Sequence, residues 1–149
     1  MRLACNLVPL KLKDGTESDI VYFLCDGGSN PFDVFVKDCR DGQAIEKMAK
    51  AIESVHTIGV GQSRCVDRLK KLRGNADADM YEITVNKCTA RAYLFTIDGE
   101  LAIAIAFIQS TTHSGTGKMD VKRAIEKLGR MRPRLDEALK RRDNHGKGI

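Results

Sequence analysis

The sequence predicts one small α+β domain, with N-terminal helices packed on an antiparallel β-sheet meander and a basic C-terminal helix after it. Three observations carry this. Ile45, Met48, Ile52 and Val55 recur at three- and four-residue spacing, the apolar stripe of an amphipathic helix. From Met80 the period drops to two, with Tyr81, Ile83 and Val85 alternating with Glu82 and Thr84, as on a half-buried strand. The charge is also unevenly placed. Residues 1–117 carry 14 Lys and Arg against 15 Asp and Glu, whereas residues 118–149 carry 11 against 5. All of the net +5 therefore sits in the last fifth of the chain.

At 149 residues, 42% of them hydrophobic and 30% charged, the chain fits one ordinary domain with a core of its own. Residues 1–142 are taken as that domain and 143–149 as a disordered tail. Residues 20–25 (IVYFLC) read as a buried strand, ended by the turn-forming run from Asp26 to Pro31. A short helix follows, with Asn30 as its cap, Pro31 at its first position and Phe32, Phe35 and Val36 facing inward. Asp41 caps the longer helix, and Gly59 supplies a left-handed stop.

The next segment, RCVDRLKKLRGN, is basic. It leads into a meander predicted at 80–85, 90–97 and 100–108. Asp98-Gly99 is the hairpin reversal. In the last strand Leu101, Ile103, Ile105 and Phe107 are large, while Ala102, Ala104 and Ala106 are small. One bulky and one small apolar face mark a strand buried on both sides, with a helix close over the alanines. Beyond a polar loop, Val121, Ala124, Ile125 and Leu128 define an amphipathic helix. Pro133 either kinks that helix or starts a second one, with Leu135, Ala138 and Leu139 inward.

The five cysteines form no CxxC pair and none lies beside a histidine at ligand spacing, so free thiols are expected rather than a metal site or a disulfide framework. No cofactor is indicated. The longest apolar run, residues 101–108, is far short of a membrane span, and the N-terminus has no signal-like core and cleavage site. The expectation is a cytoplasmic protein without a membrane partner. The basic last fifth is either a polyanion-binding surface or a solvated helix face with local pairs such as Lys122 with Glu126.

The order of strand, two helices, basic connector, meander, loop and helix resembles the RelE/HigB superfamily of toxins, nearest its phage-associated HigB-like branch. The resemblance spans roughly residues 21–128. It rests on LKKLRGNADADMYEI, ARAYLFTIDGELAIAIAFIQS and KMDVKRAIEKL. It implies the toxin of a type II toxin–antitoxin system: a ribosome-dependent, metal-independent mRNA endonuclease held silent by an antitoxin protein. Such chemistry needs a base for the 2′-hydroxyl, cations for the phosphate and an acid for the leaving oxygen.

Carried over position by position, Arg91 falls on the family's strand arginine, a fork that can clamp phosphate oxygens, and His113 falls in the loop where an acid or base is wanted. These two are the catalytic candidates. Tyr93 is available for stacking on a base. Lys118, Lys122 and Arg123 on the last helix, with Lys70, Lys71 and Arg73 before the meander, are the RNA-binding candidates. Cation positions of the family are neutral in this chain: Thr84 replaces an arginine, and Gln109 and Ser110 replace paired lysines. Each lost donor costs on the order of a hundredfold in rate. The alternative is therefore a non-catalytic relative that binds a protein or nucleic acid through its basic face, with Arg91 in an ion pair with Glu82 and Tyr93 in the core.

Overall fold

The structure, a computed structural model, describes residues 5–72, 80–85, 88, 90–109 and 118–147, with the backbone alone described at 109, 118–124 and 143–147. The described residues form an α+β arrangement of six strands and three helices in the order β1 (Cys5–Lys11), β2 (Glu17–Asp26), α1 (Pro31–Asp38), α2 (Gly42–Cys65), β3 (Lys70–Lys71), β4 (Met80–Thr84), β5 (Ala90–Ile97), β6 (Leu101–Gln109) and α3 (Lys118–Lys147). The strands form one sheet in the order β1-β2-β6-β5-β4-β3.

Two expectations change. The helices are not N-terminal, because a β1–β2 hairpin precedes them. The sheet is mixed: β2 runs parallel to β6, and every other neighbouring pair is antiparallel. The parallel contact follows from α1 and α2 lying between β2 and the meander, since parallel neighbours need a long crossover. β1 was not expected as a strand. Its sequence CNLVPLK carries Pro9, which suits an edge strand that lacks a partner on one side. Arg141 Nη2 also donates to the Cys5 carbonyl at 2.7 Å, so this edge is blunted against further pairing.

The local signals act as their chemistry dictates. Asn30 Oδ1 accepts from the Phe32 amide at 2.8 Å and Pro31 opens α1. Asp41 Oδ1 accepts from the amides of Gln43 and Ala44 at the start of α2. Asp98 and Gly99 both take positive φ, 54° and 68°, the backbone of a two-residue hairpin turn. Gly59 leaves helical geometry at φ 84°, but as a kink rather than a stop. Its freed carbonyl accepts from Ser63 Oγ at 2.6 Å, and the helix resumes to Cys65. Likewise Pro133 lies inside α3, which runs unbroken to Lys147, past the boundary drawn at 142.

The sheet separates two cores. On one face Met48, Ala51, Ile52 and Val55 of α2 pack with Phe23, Ala92, Leu94, Ala102 and Ala104. Ala102 and Ala104 let the helical layer approach, as expected, but Ala106, also expected there, stands opposite Tyr93 and is turned to the other face. Phe107 joins the α2 face because Ile105 is an extra residue: Leu94 faces Ala104 while Tyr93 faces Ala106, and such a bulge shifts the alternation by one. Phe107 then stacks on Phe35 at 5.4 Å and meets Phe32 edge-on at 5.3 Å. Val36, expected inward, is on the exposed side of α1. On the other face Leu128, Leu135 and Ala138 of α3 cover Leu24, Tyr93, Phe95 and Ile103. No helix among the described residues is long and apolar enough to cross a membrane.

Candidate functional site

The edge of the sheet beyond α3 gathers polar side chains in register. Met80 on β4 and Tyr93 and Phe95 on β5 point into the core under α3, whereas Tyr81, Ile83 and Ala92 point to the other. By alternation, Glu82 and Thr84 on β4 and Arg91 on β5 share the α3 side. Thr84 is the register partner of Arg91, and Glu82 that of Tyr93. On β3, Lys70 stands opposite Glu82 and Lys71 opposite Tyr81. Lys70 therefore belongs to this face and Lys71 to the opposite one. There Arg64 lies 5.3 Å over the Tyr81 ring.

Arg91 Nη1 is 3.4 Å from Glu82 Oε2, with side chains 26% and 14% exposed. Both ends are half-buried, so the pair is more than a solvated surface contact. A guanidinium carries five N–H donors in a planar fork, and Glu82 takes one, at Nη1. The site thus sets a carboxylate directly against a guanidinium, with Lys70 across the strand from Glu82. From the sequence alone Glu82 is an ion-pair partner of Arg91 and not a site residue. The missed signal was the alternation of β4, which places Glu82 diagonally across from Arg91.

Other expected site residues scatter. Tyr93 is 1% exposed beneath α3. It cannot stack on a base, because packing on Leu128 and Leu135 claims its ring. Arg73, Ser110 and His113 lie outside the described residues, and Lys118, Lys122 and Arg123 are placed by backbone on the first turns of α3. The second half of that helix turns its arginines onto the protein. Arg134 reaches Asp26 at 2.7 Å, Arg132 lies 4.9 Å over the Phe95 ring, and Arg142 lies 4.7 Å over the Tyr22 ring while donating to its hydroxyl. Lys127, Arg130 and Lys140 remain exposed. The basic run is therefore part clamp and part open surface.

A second polar pair is structural. Ser18 Oγ lies 2.7 Å from His56 Nδ1 and accepts from the amides of Ile20 and Val21. It sits where the β1–β2 register jumps between Pro9–Tyr22 and Lys11–Glu17. The hydroxyl satisfies amides that the irregular strand leaves out of the ladder, and His56 anchors it to α2. Burial pushes the Cys5 and Cys25 thiols up, away from the reactive thiolate.

Comparisons of the chain with protein-family models, with curated proteins and with solved structures found no match.

Proposed function

We propose that this protein is an RNA-binding, metal-independent endoribonuclease of the RelE/HigB toxin kind, acting on mRNA at the ribosome and silenced by an antitoxin protein. The observation that carries the reading is the half-buried Glu82–Arg91 pair, with Lys70 opposite Glu82 on β3. The order β2, α1, α2, meander, α3 also agrees with the resemblance, once the added β1 is set aside.

In the proposed reaction Glu82 takes the proton of the 2′-hydroxyl, and the resulting oxygen attacks the adjacent phosphorus. Arg91 and Lys70 hold the non-bridging oxygens as negative charge builds. The bond to the 5′-oxygen breaks, and His113, assigned by sequence to the loop after β6, supplies the proton that oxygen needs. The products are a 2′,3′-cyclic phosphate and a 5′-hydroxyl end. Glu82 replaces the need for a second histidine.

A specific observation favours the non-catalytic reading as second choice. Thr84 faces Arg91 in register, the position at which the resemblance calls for a second guanidinium, and Arg91 already has a carboxylate partner. The assay that divides the two is mRNA cleavage on translating ribosomes. Wild type should cut, while Glu82→Gln, Arg91→Ala and His113→Ala should each fall by about a hundredfold with the fold intact. Absence of wild-type cleavage passes the case to the binding protein.

A further inference from the structure

Past Ala104 the two parallel strands part. β2 and β6 pair only from Val21–Ala102 to Phe23–Ala104, and the bulge at Ile105 then bends β6. Bulges are common beside active sites, where they re-aim the strand. Between the diverging strands lies a cleft of about 270 Å³, bordered by α1 and α3. Its walls are apolar, with Leu24, Phe35, Phe107 and Met131. Its polar lining is Asp26, Ser29, Asp38 and Lys127. Among the described residues no strand pairs β6 on this side beyond Ala104. The peptide edge at Ile105, Ala106 and Phe107 therefore borders the cleft.

An apolar slot edged by backbone groups and carboxylates suits a planar heterocycle, which packs its faces and forms hydrogen bonds around its rim. The Asp38 carboxylate, the Ser29 hydroxyl and peptide carbonyls supply acceptors on the rim, which favours a ring bearing an amino group, while the Asp26 carboxylate is engaged by Arg134 at 2.7 Å. Lys127 adds a cation for an attached phosphate. The cleft is also close to the candidate site. Ala106 is two residues along β6 from Ile108, the register partner of Arg91, so Arg91 lies one strand over, roughly 7 Å along the strand and about 5 Å across it.

We propose that the β2–β6 cleft is a nucleobase pocket, holding the amino-bearing base of a nucleotide next to the phosphate gripped by Arg91, with Lys127 on that nucleotide's own phosphate. This rests on the RNA reading above and adds a base preference to it: adenine, guanine or cytosine over uracil.

The probes are AMP, GMP, CMP and UMP, titrated singly into the full-length protein while backbone amide resonances are followed. Amides of Ile105, Ala106 and Phe107 should shift with at least one amino-bearing nucleotide, and UMP should bind weakest. Val34 lines the cleft and is 44% exposed on α1, and Lys127 is exposed on α3. Val34→Glu and Lys127→Glu should therefore keep the fold, as unperturbed amides elsewhere will report, and each should weaken binding at least tenfold. Shifts confined to Lys70 and Arg91, equal binding of UMP, or unchanged affinity in both variants overturns the pocket. The result is separable from the nuclease reading. Nucleotide binding at the cleft without mRNA cleavage keeps the pocket and removes the enzyme, while cleavage without shifts at β6 does the reverse.

Discussion

Arg134 on α3 reaches the carboxylate of Asp26 at the end of β2 at 2.7 Å, with its own side chain 15% exposed and that of Asp26 48% exposed. The contact is charge-assisted and short, and it ties the last helix to the strand that borders the cleft. Water still reaches the carboxylate, so the pair is weaker than a buried one.

Removing it should cost about 1 kcal/mol. Arg134→Ala should then lower the melting temperature by roughly 2–4 °C, the shift that such a loss gives in a domain of this size. Asp26→Asn should cost less, since the amide still accepts a hydrogen bond. A double-mutant cycle checks this, and additive effects would mean that the two residues do not interact in solution.

The alanine row makes a larger prediction. Ala104 is 2% exposed beneath the α1–α2 layer, so Ala104→Leu forces extra atoms into a filled core, at about 1–3 kcal/mol. Urea unfolding should show a lower midpoint with an unchanged slope. An unshifted midpoint would place a void over β6.

A pH effect follows from the β1–β2 turn. Thr16 donates to Asp14 Oδ1 from its hydroxyl at 2.6 Å and its amide at 2.9 Å, and the hydroxyl bond foremost holds the carboxyl below its usual range. A depressed folded-state pKa contributes stability above the unfolded value, which is lost as the pH falls through the folded one. Thr16→Val removes the hydroxyl donor and should move the Asp14 titration, followed by carbon NMR, up toward the ordinary carboxylate range. An unmoved titration would assign the effect to the backbone amide.

These contacts also mark what the sequence can disclose. Asn30-Pro31, Asp41 and Asp98-Gly99 specify caps and a turn through chemistry confined to a few residues, and each acts at its expected position. The row Ala102-Ala104 was legible because its periodicity reports burial on both faces. The pairing of β2 with β6 joins segments some eighty positions apart in the sequence and leaves no local trace. β1 escaped notice because an edge strand with a proline lacks clean alternation. At Gly59 the local signal was correct and the outcome was not, since Ser63 accommodates the break and the apolar stripe reaches Val60. At the candidate site Arg91 was readable as a cation, while Glu82 became its neighbour only through strand register.

The basic helix gives the last prediction, because its two halves have different work. Arg132, Arg134, Arg141 and Arg142 bind rings, a carboxylate and a carbonyl of the sheet, whereas Lys118, Lys122 and Arg123 belong to the turns nearest the end of β6 in the chain. If the second set contacts RNA phosphates, each cation releases counterions, and the logarithm of affinity falls with the logarithm of salt by about 0.7 per contact on a single strand. Changing Lys118, Lys122 and Arg123 together to Gln should therefore flatten the salt slope by about 2, with the melting temperature unchanged. Arg141→Gln with Arg142→Gln should do the opposite, lowering the melting temperature and leaving the slope alone. Fluorescence anisotropy of a labelled RNA across a salt series, beside thermal melts of the same variants, separates the two. A slope that responds to the arginines and not to the first turns would reverse the assignment and place the RNA along the outer surface of α3.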